Sequence, residues 1–115
     1  MRLPNVEHAT VSKAKITDYL LSLTHRDGRS KALFFFRYGF TVAAWQDLEK
    51  ALQNHAADNL VAKIEDSPFG RRYIIEGEIL APDGRTAVIR SVWFIDEGDE
   101  IPKFVTAYPL QRRPK

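Results

Sequence analysis

Residues 72–95 decide the fold, and they read RYIIEGEIL, then APDGR, then TAVIRSVWFI. Two runs of strand-forming residues, 72–80 and 86–95, flank the tripeptide Pro82-Asp83-Gly84. Proline fixes φ for the first turn position, aspartate can bond the turn backbone, and glycine accepts a positive φ. The stretch therefore predicts a β-hairpin with strands Arg72–Leu80 and Thr86–Ile95.

Two further strands are predicted on either side of this hairpin. Leu60–Glu65 is a weaker strand candidate, separated from the hairpin by the turn-like residues 66–70. On the other side, the acidic segment 96–100 forms a turn before a last strand at Lys103–Leu110. Consecutive strands joined by short turns predict an antiparallel meander of three or four strands.

The first half of the chain is helical in its periodicity. Apolar residues recur at helical spacing in three segments, about 13–23, 29–38 and 42–57. Helices followed by an antiparallel sheet predict an α+β fold, with the helices packed on one face of the meander. At 115 residues, the chain is expected to form a single domain, 1–115.

Residues at the helix ends support these boundaries. Ser12 and Thr41 are suited to cap the first and third helices. Gly39 is placed as the left-handed residue after the second helix, and Phe40 can then fold back on Phe35. His55 extends the apolar stripe of the third helix, where a lone histidine is more often core or surface than a ligand.

Side-chain alternation assigns residues to the two faces of the predicted sheet. Ile89 and Trp93 share one face of their strand, which we expect the helices to cover. The residues expected to pack there are Tyr19, Leu20, Phe36 and Trp45.

The opposite face is predicted to display Arg90, together with Thr106 and Tyr108 of the last strand. Regular alternation places Phe104 on the same side of that strand as Thr106 and Tyr108. An arginine amid apolar residues is costly unless it is paired or faces a wet site. The alternative to a functional role is that Arg90 simply pairs with a carboxylate such as Glu76.

A polar, cation-rich segment, residues 24–31, joins the first two helices and reads THRDGRSK. The start of a helix offers backbone N–H groups and the positive end of a dipole. His25, Arg29 and Lys31 beside it are predicted to form an anion-binding corner suited to phosphate. The alternative is a solvated interhelical loop in which Gly28 makes the turn.

Several motifs carry a resemblance to a known family. They are Leu3-Pro4-Asn5, Lys15-Ile16-x-x-Tyr19-Leu20-Leu21, His25-x-x-Gly28-x-x-Lys31-Ala32-x-x-Phe35, Gly39-Phe40, Arg90-Ser91-x-Trp93 and Thr106-x-Tyr108. With them the chain resembles, over nearly its whole length, a small bacterial domain family of unknown function. It departs from the usual pattern at Arg29-Ser30, where a basic residue and a histidine commonly precede the lysine.

Members of that family are similar to toxin domains at the C-termini of polymorphic toxins and phage head proteins. Short free-standing versions occur near antitoxin-like partners. The resemblance implies the architecture of barnase, EndoU, colicin and RelE nucleases, with N-terminal helices and a four-stranded meander. It also implies RNA as substrate and an antitoxin-like protein as partner.

Metal-independent RNA cleavage needs a base for the ribose 2′-OH, an acid for the leaving 5′-oxygen and cations for the phosphate. We assign His25 as base or acid, since an imidazole ordinarily titrates near neutral pH. Lys31 and Arg90 are expected to hold the scissile phosphate. Thr106 is expected to hydrogen-bond phosphate, and Tyr108 to orient substrate or stack a base.

The sequence is also compatible with two alternatives to a toxin-type ribonuclease. One is a non-catalytic protein-interaction module, such as an antitoxin- or immunity-type partner, and the other is an inactive RNA-binding relative. An enzyme should bring His25, Lys31 and Arg90 around one cleft. An interaction module should instead present a broad apolar patch.

Composition limits the remaining classes of function. A net charge of +2 is only weakly basic, and the chain has no cysteine, which excludes disulfides and thiol catalysis. The three histidines are too scattered for a metal motif, so we expect no metal and no other cofactor. No segment approaches membrane-spanning length, so we expect a cytoplasmic protein without membrane contact. The basic tail, Arg112, Arg113 and Lys115, is interpreted as a solvated end.

Overall fold

A computed structural model describes residues 1–110, and the basic tail lies outside them. The secondary structure of this part runs from short helical turns, through two longer helices, to four strands. In chain order the elements are a 3₁₀ turn (Val6–His8), α1 (Lys13–Lys15), a π-helical turn (Ile16–Leu20), α2 (Arg29–Arg37), α3 (Trp45–Asp58), β1 (Val61–Ser67), β2 (Gly70–Leu80), β3 (Thr86–Asp96) and β4 (Lys103–Pro109).

The strands form one antiparallel sheet in the order β1-β2-β3-β4. This arrangement confirms the predicted meander of an α+β fold. The central hairpin pairs β2 with β3 without a break, from Gly70 opposite Asp96 to Leu80 opposite Thr86. Its turn is closed by the Gly84 N–H, which donates to the Ala81 carbonyl at 3.0 Å.

One face of the sheet, called the helix face below, packs against the helices. Ile89 and Trp93 are fully buried there, as predicted, and the Trp93 ring meets Phe104 edge-on at 5.4 Å. Leu48 and Leu52 of α3 are also fully buried. The core therefore lies between the helices and this side of the meander.

The first helix ends earlier than its periodicity indicated. Ser12 caps it as predicted, because its Oγ accepts the Lys15 N–H at 3.2 Å. After one α-helical turn the backbone widens into a π-helical turn, in which the Leu21 N–H donates to the Ile16 carbonyl at 2.8 Å. A π-turn changes the helical phase. Leu23, which continued the predicted stripe, is therefore outside the helix and 53% exposed.

The end of α2 follows the prediction closely. Gly39 has a φ of 96°, and its N–H donates to the Phe36 carbonyl at 3.0 Å. The Phe40 N–H donates to the Phe35 carbonyl at 3.2 Å, and the two rings lie 5.8 Å apart. These two hydrogen bonds form a Schellman motif.

The third helix begins at Trp45 rather than at residue 42. The Thr41 hydroxyl does accept the Ala44 N–H, at 3.1 Å. That bond closes a turn ahead of the helix, since the Trp45 N–H donates to the Val42 carbonyl at 3.2 Å. The predicted capping residue is thus present, but it caps a turn and not the helix itself.

A β-bulge in β4 corrects the predicted position of one aromatic residue. Val92 pairs with Thr106, whereas the neighbouring Trp93 pairs with Phe104, so Val105 is an extra residue on β4. A bulge reverses the alternation of side chains across it. Phe104 therefore lies buried on the helix face, opposite to Thr106 and Tyr108, and the prediction that it shares their face was wrong.

The N-terminal segment extends the sheet beside β4. The Thr10 N–H donates to the Pro102 carbonyl at 3.0 Å, and the Phe104 N–H donates to the Thr10 carbonyl at 2.9 Å. The segment runs parallel to β4 at this point. The first residues of the described chain thus cover the start of the last strand.

No helix within residues 1–110 is long and apolar enough to cross a membrane.

Candidate functional site

Tyr19, in the π-helical turn, lies at the centre of the candidate site. Its hydroxyl is 2.8 Å from the Thr106 Oγ1. The His25 ring meets the Tyr19 ring edge-on at 5.0 Å, and the Lys31 Nζ lies 5.3 Å from the Tyr19 ring centroid. Three of the five predicted site residues, His25, Lys31 and Thr106, therefore contact this one tyrosine.

His25 shapes the start of α2 through its ring. Its Nδ1 accepts the N–H groups of Asp27 at 3.0 Å and Gly28 at 3.1 Å. The His25 carbonyl accepts a third, from Arg29, at 3.1 Å. The sequence predicted that the N–H groups at the start of this helix are free to bind an anion. For Asp27, Gly28 and Arg29 this is wrong, because these three N–H groups are bonded within the chain.

The same contacts define the tautomer of His25. Because Nδ1 accepts two hydrogen bonds, the ring proton of the neutral imidazole sits on Nε2. Nε2 is then a hydrogen-bond donor. A proton on Nδ1 would break both bonds to the start of α2.

Gly28 lets segment 24–31 lie directly against the π-helical turn. A Cβ at this position would be 2.0 Å from the Tyr19 carbonyl oxygen, which no side chain can tolerate. Lys31, one turn later, donates from Nζ to the Asp27 carbonyl at 2.8 Å. The glycine is thus needed for a close approach, and that approach brings Lys31 to the Tyr19 ring.

The other two predicted residues, Arg90 and Tyr108, lie on the face of the sheet opposite the helices. We call this the open face and define it by Arg72, Glu76, Arg90, Thr106 and Tyr108. Arg90 pairs across the strands with Glu76 on one side and Tyr108 on the other. Its Nε donates to Glu76 Oε2 at 2.8 Å, and its Nη1 donates to the Tyr108 hydroxyl at 3.1 Å.

Both interpretations of Arg90 thus find support in its surroundings. It pairs with Glu76, as the structural alternative required, but the two side chains are 33% and 35% exposed. The hydrogen bonds to Tyr108 and then to Glu76 raise the pKa of the Arg90 guanidinium above its ordinary value. The side chain is a fixed positive charge at the surface of the open face.

The residues around Tyr19 (His25, Lys31 and Thr106) and the cross-strand row of Glu76, Arg90 and Tyr108 meet along β4. Thr106 belongs to the first group and Tyr108 to the second, and they are two residues apart on the same side of the strand. Tyr19 therefore reaches past the edge of β4 to the open face. His25 and Lys31 are thus linked to β4 through Tyr19, and Arg90 through Tyr108. Within residues 1–110, no hydrogen bond or ion pair joins His25 or Lys31 directly to Arg90.

Sequence reasoning missed two members of this site. Tyr19 was assigned to the core, because it falls on the apolar stripe of the first helix, yet it is only half-buried. Glu76 was considered only as a partner for Arg90. The polar hydroxyl of Tyr19 was the one sequence signal for a role outside the core. The π-helical turn then directs this hydroxyl to Thr106.

His55 belongs to the core and not to the site. Its Nε2 donates to the Gly77 carbonyl at 3.1 Å, and its Nδ1 lies 2.9 Å from the Ser91 Oγ. Trp93 Nε1 in turn donates to that Oγ at 2.9 Å. Burial lowers the pKa of His55 below its ordinary value of 6.5. The expectation that this histidine is structural fits this fully bonded position.

The sequence profile of one family, described as a domain of unknown function (DUF6883), matches residues 2–111. The chain belongs to the DUF6883 family. The match covers the helices, the whole sheet and every residue of the candidate site. None of the curated proteins compared with this DUF6883 chain matches it.

The fold of this DUF6883 domain is similar to a solved structure. That structure is described as a contact-dependent growth inhibition toxin–immunity protein complex from Klebsiella pneumoniae 342. The TM-score is 0.71 at 17% sequence identity, covering 93% of this chain and 97% of that chain. The two chains therefore share a fold.

Proposed function

We propose that this DUF6883 domain is a metal-independent endoribonuclease of toxin type. The observation that carries the proposal is the meeting of Lys31, His25 and Thr106 around Tyr19, beside Glu76, Arg90 and Tyr108 on the open face. This arrangement combines fixed cations with one proton acceptor and several hydrogen-bond donors.

In this proposal the ribose 2′-oxygen attacks the phosphorus and the bond to the 5′-oxygen breaks. The products are a 2′,3′-cyclic phosphate and a free 5′-hydroxyl. Glu76 takes the proton of the 2′-OH, and Tyr108 gives its phenolic proton to the departing oxygen. Exchange with water afterwards returns a proton from Glu76 to Tyr108, so both groups regain their starting states.

Lys31 and Arg90 neutralise the charge that develops on the phosphate. Arg90 donates to the Tyr108 oxygen and leaves the phenolic proton free for transfer to the departing oxygen. Because its Nδ1 is occupied, His25 contributes its Nε2–H as a donor to a phosphate oxygen. Thr106 positions the phosphate through its hydroxyl.

The test is cleavage of a labelled RNA oligonucleotide by the purified protein in EDTA. We expect products that end in a 2′,3′-cyclic phosphate, and no cleavage where the attacking 2′-OH is replaced by hydrogen. Glu76→Gln should lower the rate by roughly 10²–10⁴-fold, as for loss of a general base. Lys31→Ala should also lower it, and Lys50→Ala is the control because Lys50 is exposed on α3. An inactive wild-type protein, or equal rates for all variants, would overturn the proposal.

A second candidate is an immunity-type role, since the structure with the similar fold contains both a toxin and its immunity protein. In that case the same face would bind a partner protein. The two roles are separated by co-expression with the protein encoded beside this chain in a bacterial genome. If the neighbour relieves growth arrest caused by this domain, the domain is the toxin. If this domain relieves arrest caused by the neighbour, the immunity-type role is correct.

A further inference from the structure

A cation-lined cavity lies on the open face, at the start of β4. Its volume is about 430 Å³, within the range of about 300–1,000 Å³ that is usual for ligand pockets. Lys15, Arg72 and Lys103 supply positive charge to its wall, and Phe94 supplies an aromatic surface. Three cations come from three different elements, so the cavity is a product of the tertiary fold.

The carboxylates near this cavity neutralise it only in part. Lys103 pairs with Asp96, and the Arg72 Nη1 lies 4.0 Å from the Glu65 Oε1. Both pairs are solvent-exposed and therefore weak. Within residues 1–110, Lys15 has no carboxylate at ion-pair distance, so the cavity carries an excess of positive charge.

Phe94 presents a flat ring between two of these cations. It pairs across the strands with Arg72 on one side and Lys103 on the other, and it is half-buried. The ring packs closely against Gly70, where a Cβ would be 2.7 Å from the Phe94 Cε2. A rigid aromatic ring flanked by cations is the arrangement with which proteins stack a nucleobase of single-stranded RNA.

This cavity is continuous with the candidate site. Val105 lines it, and the next residue is Thr106. The Lys15 Nζ lies 5.5 Å from the Tyr19 ring centroid, and the Lys31 Nζ of the candidate site lies 5.3 Å from the same centroid. Successive phosphates of one RNA strand can therefore contact Lys15 of the cavity and Lys31 of the candidate site, on either side of Tyr19.

We propose that the cavity lined by Lys15, Arg72, Phe94 and Lys103 binds a nucleotide that flanks the phosphate held at the candidate site. The base stacks on Phe94, and the adjoining phosphate contacts Lys15 and Arg72. The inference rests on the proposed function for its ligand class, single-stranded RNA. It concerns binding, however, and does not require that the domain cleaves RNA.

The test uses 2′-O-methyl RNA, which cannot be cleaved by 2′-OH attack. Binding of a fluorescein-labelled hexanucleotide is measured by anisotropy for the wild type, Phe94→Leu, Lys15→Gln and the control Lys50→Gln. We expect Phe94→Leu to weaken binding by roughly 5–150-fold, the range for loss of one stacked base. Lys15→Gln should reduce the salt slope by about one, and the control should match the wild type.

A second readout locates the oligonucleotide and covers the possibility that Phe94→Leu is misfolded. In amide NMR spectra of the wild type, the hexanucleotide should shift the signals of Phe94, Lys103 and Val105. A dinucleotide should shift mainly those of Tyr19 and Thr106. The proposal is overturned if the hexanucleotide does not bind or leaves the cavity signals unchanged. If it binds there and natural RNA is not cleaved, only the proposed nuclease function fails.

Discussion

At the residue scale, His55 makes the stability of the domain depend on pH. Its pKa is lowered by burial, so the folded state holds the ring neutral where the unfolded chain would protonate it. The unfolded state then binds more protons, and stability falls as the pH falls. The stabilisation is complete above the ordinary pKa of 6.5 and is lost as the pH falls from there through the lower folded pKa.

We expect the free energy of unfolding of the wild type to decrease between about pH 7.5 and pH 5. His55→Gln should be less stable at neutral pH by about 1–3 kcal/mol, because the Ser91 hydroxyl or the Gly77 carbonyl is left without its partner. Its pH dependence should be weaker. Urea denaturation of both proteins across this range is the measurement. His8 and His25 are present in both proteins, so a pH dependence equal in the two would contradict the role of His55.

Trp93 offers a second test of the core at the scale of one side chain. It is fully buried, and its Nε1 donates to Ser91. Trp93→Ala should cost roughly 3–5 kcal/mol of stability, as for other large-to-small core substitutions. Trp93→Phe keeps most of the ring and loses the hydrogen bond, so its cost should be smaller. Thermal or chemical unfolding measures both, and a cost for Trp93→Ala below that of Trp93→Phe would contradict this packing.

At the scale of elements, Gly28 joins α2 to the π-helical turn. Gly28→Ala introduces a Cβ that would meet the Tyr19 carbonyl oxygen, so either the segment or the turn must move. We expect a loss of about 1–3 kcal/mol, typical of overpacking. The NMR signals of His25 and Lys31 should change with it. Ser30→Ala, at an exposed position two residues later, is the control. It should leave the free energy of unfolding and the NMR signals of His25 and Lys31 unchanged.

The elements also show which features a sequence can predict. The hairpin at 72–95 and the end of α2 depend on neighbouring residues, such as Pro82, Gly84 and Gly39, whose backbone preferences act locally. The π-helical turn and the bulge at Val105 have no such local signal in the sequence. The apolar residues of the first helix keep their regular spacing in the sequence although the helix changes from α to π. In β4, the alternation of side chains in the sequence gives no sign that Val105 is an extra residue in the pairing with β3.

Whether a feature depends on neighbouring or on distant residues also decides how much of the candidate site could be predicted. Arg90 and Tyr108 were assigned to one face from strand alternation alone, and the sheet register brings them together. The meeting of His25 and Lys31 with Thr106 depends on Tyr19, which leaves the core stripe because of the π-helical turn. The contact between Tyr19 and Thr106 cannot be predicted from a local sequence pattern, because 87 residues separate the two.

At the scale of the whole molecule, the candidate site and the open face beside it should bind RNA through its phosphates. Binding should weaken as salt rises, because neutralised phosphates release their counterions. Lys31→Ala should reduce the slope of log affinity against log salt by about one, and Lys50→Ala should leave it unchanged. Anisotropy titrations at several salt concentrations measure the slopes. Equal slopes for the three proteins would show that Lys31 does not contact phosphate.

A growth assay tests the candidate site inside a cell. Expression of the wild-type domain in a bacterium should arrest growth, and Lys31→Ala or Arg90→Ala should relieve the arrest. Arg90→Ala removes the partner of Glu76, so circular dichroism must first show that the variant is folded. Undiminished arrest by both folded variants would contradict a toxic activity at this site.

The pairing of Thr10 with β4 has a consequence for folding kinetics. Each strand of the meander pairs with its neighbour in sequence, whereas Thr10 contacts a strand more than 90 residues away. Closing so long a loop costs more entropy than closing a hairpin, so this contact should form last and open first. In native-state hydrogen exchange, the Phe104 amide should therefore exchange through local opening, well before Ile89 in the central hairpin. The sheet can then remain intact while its N-terminal cover detaches and returns.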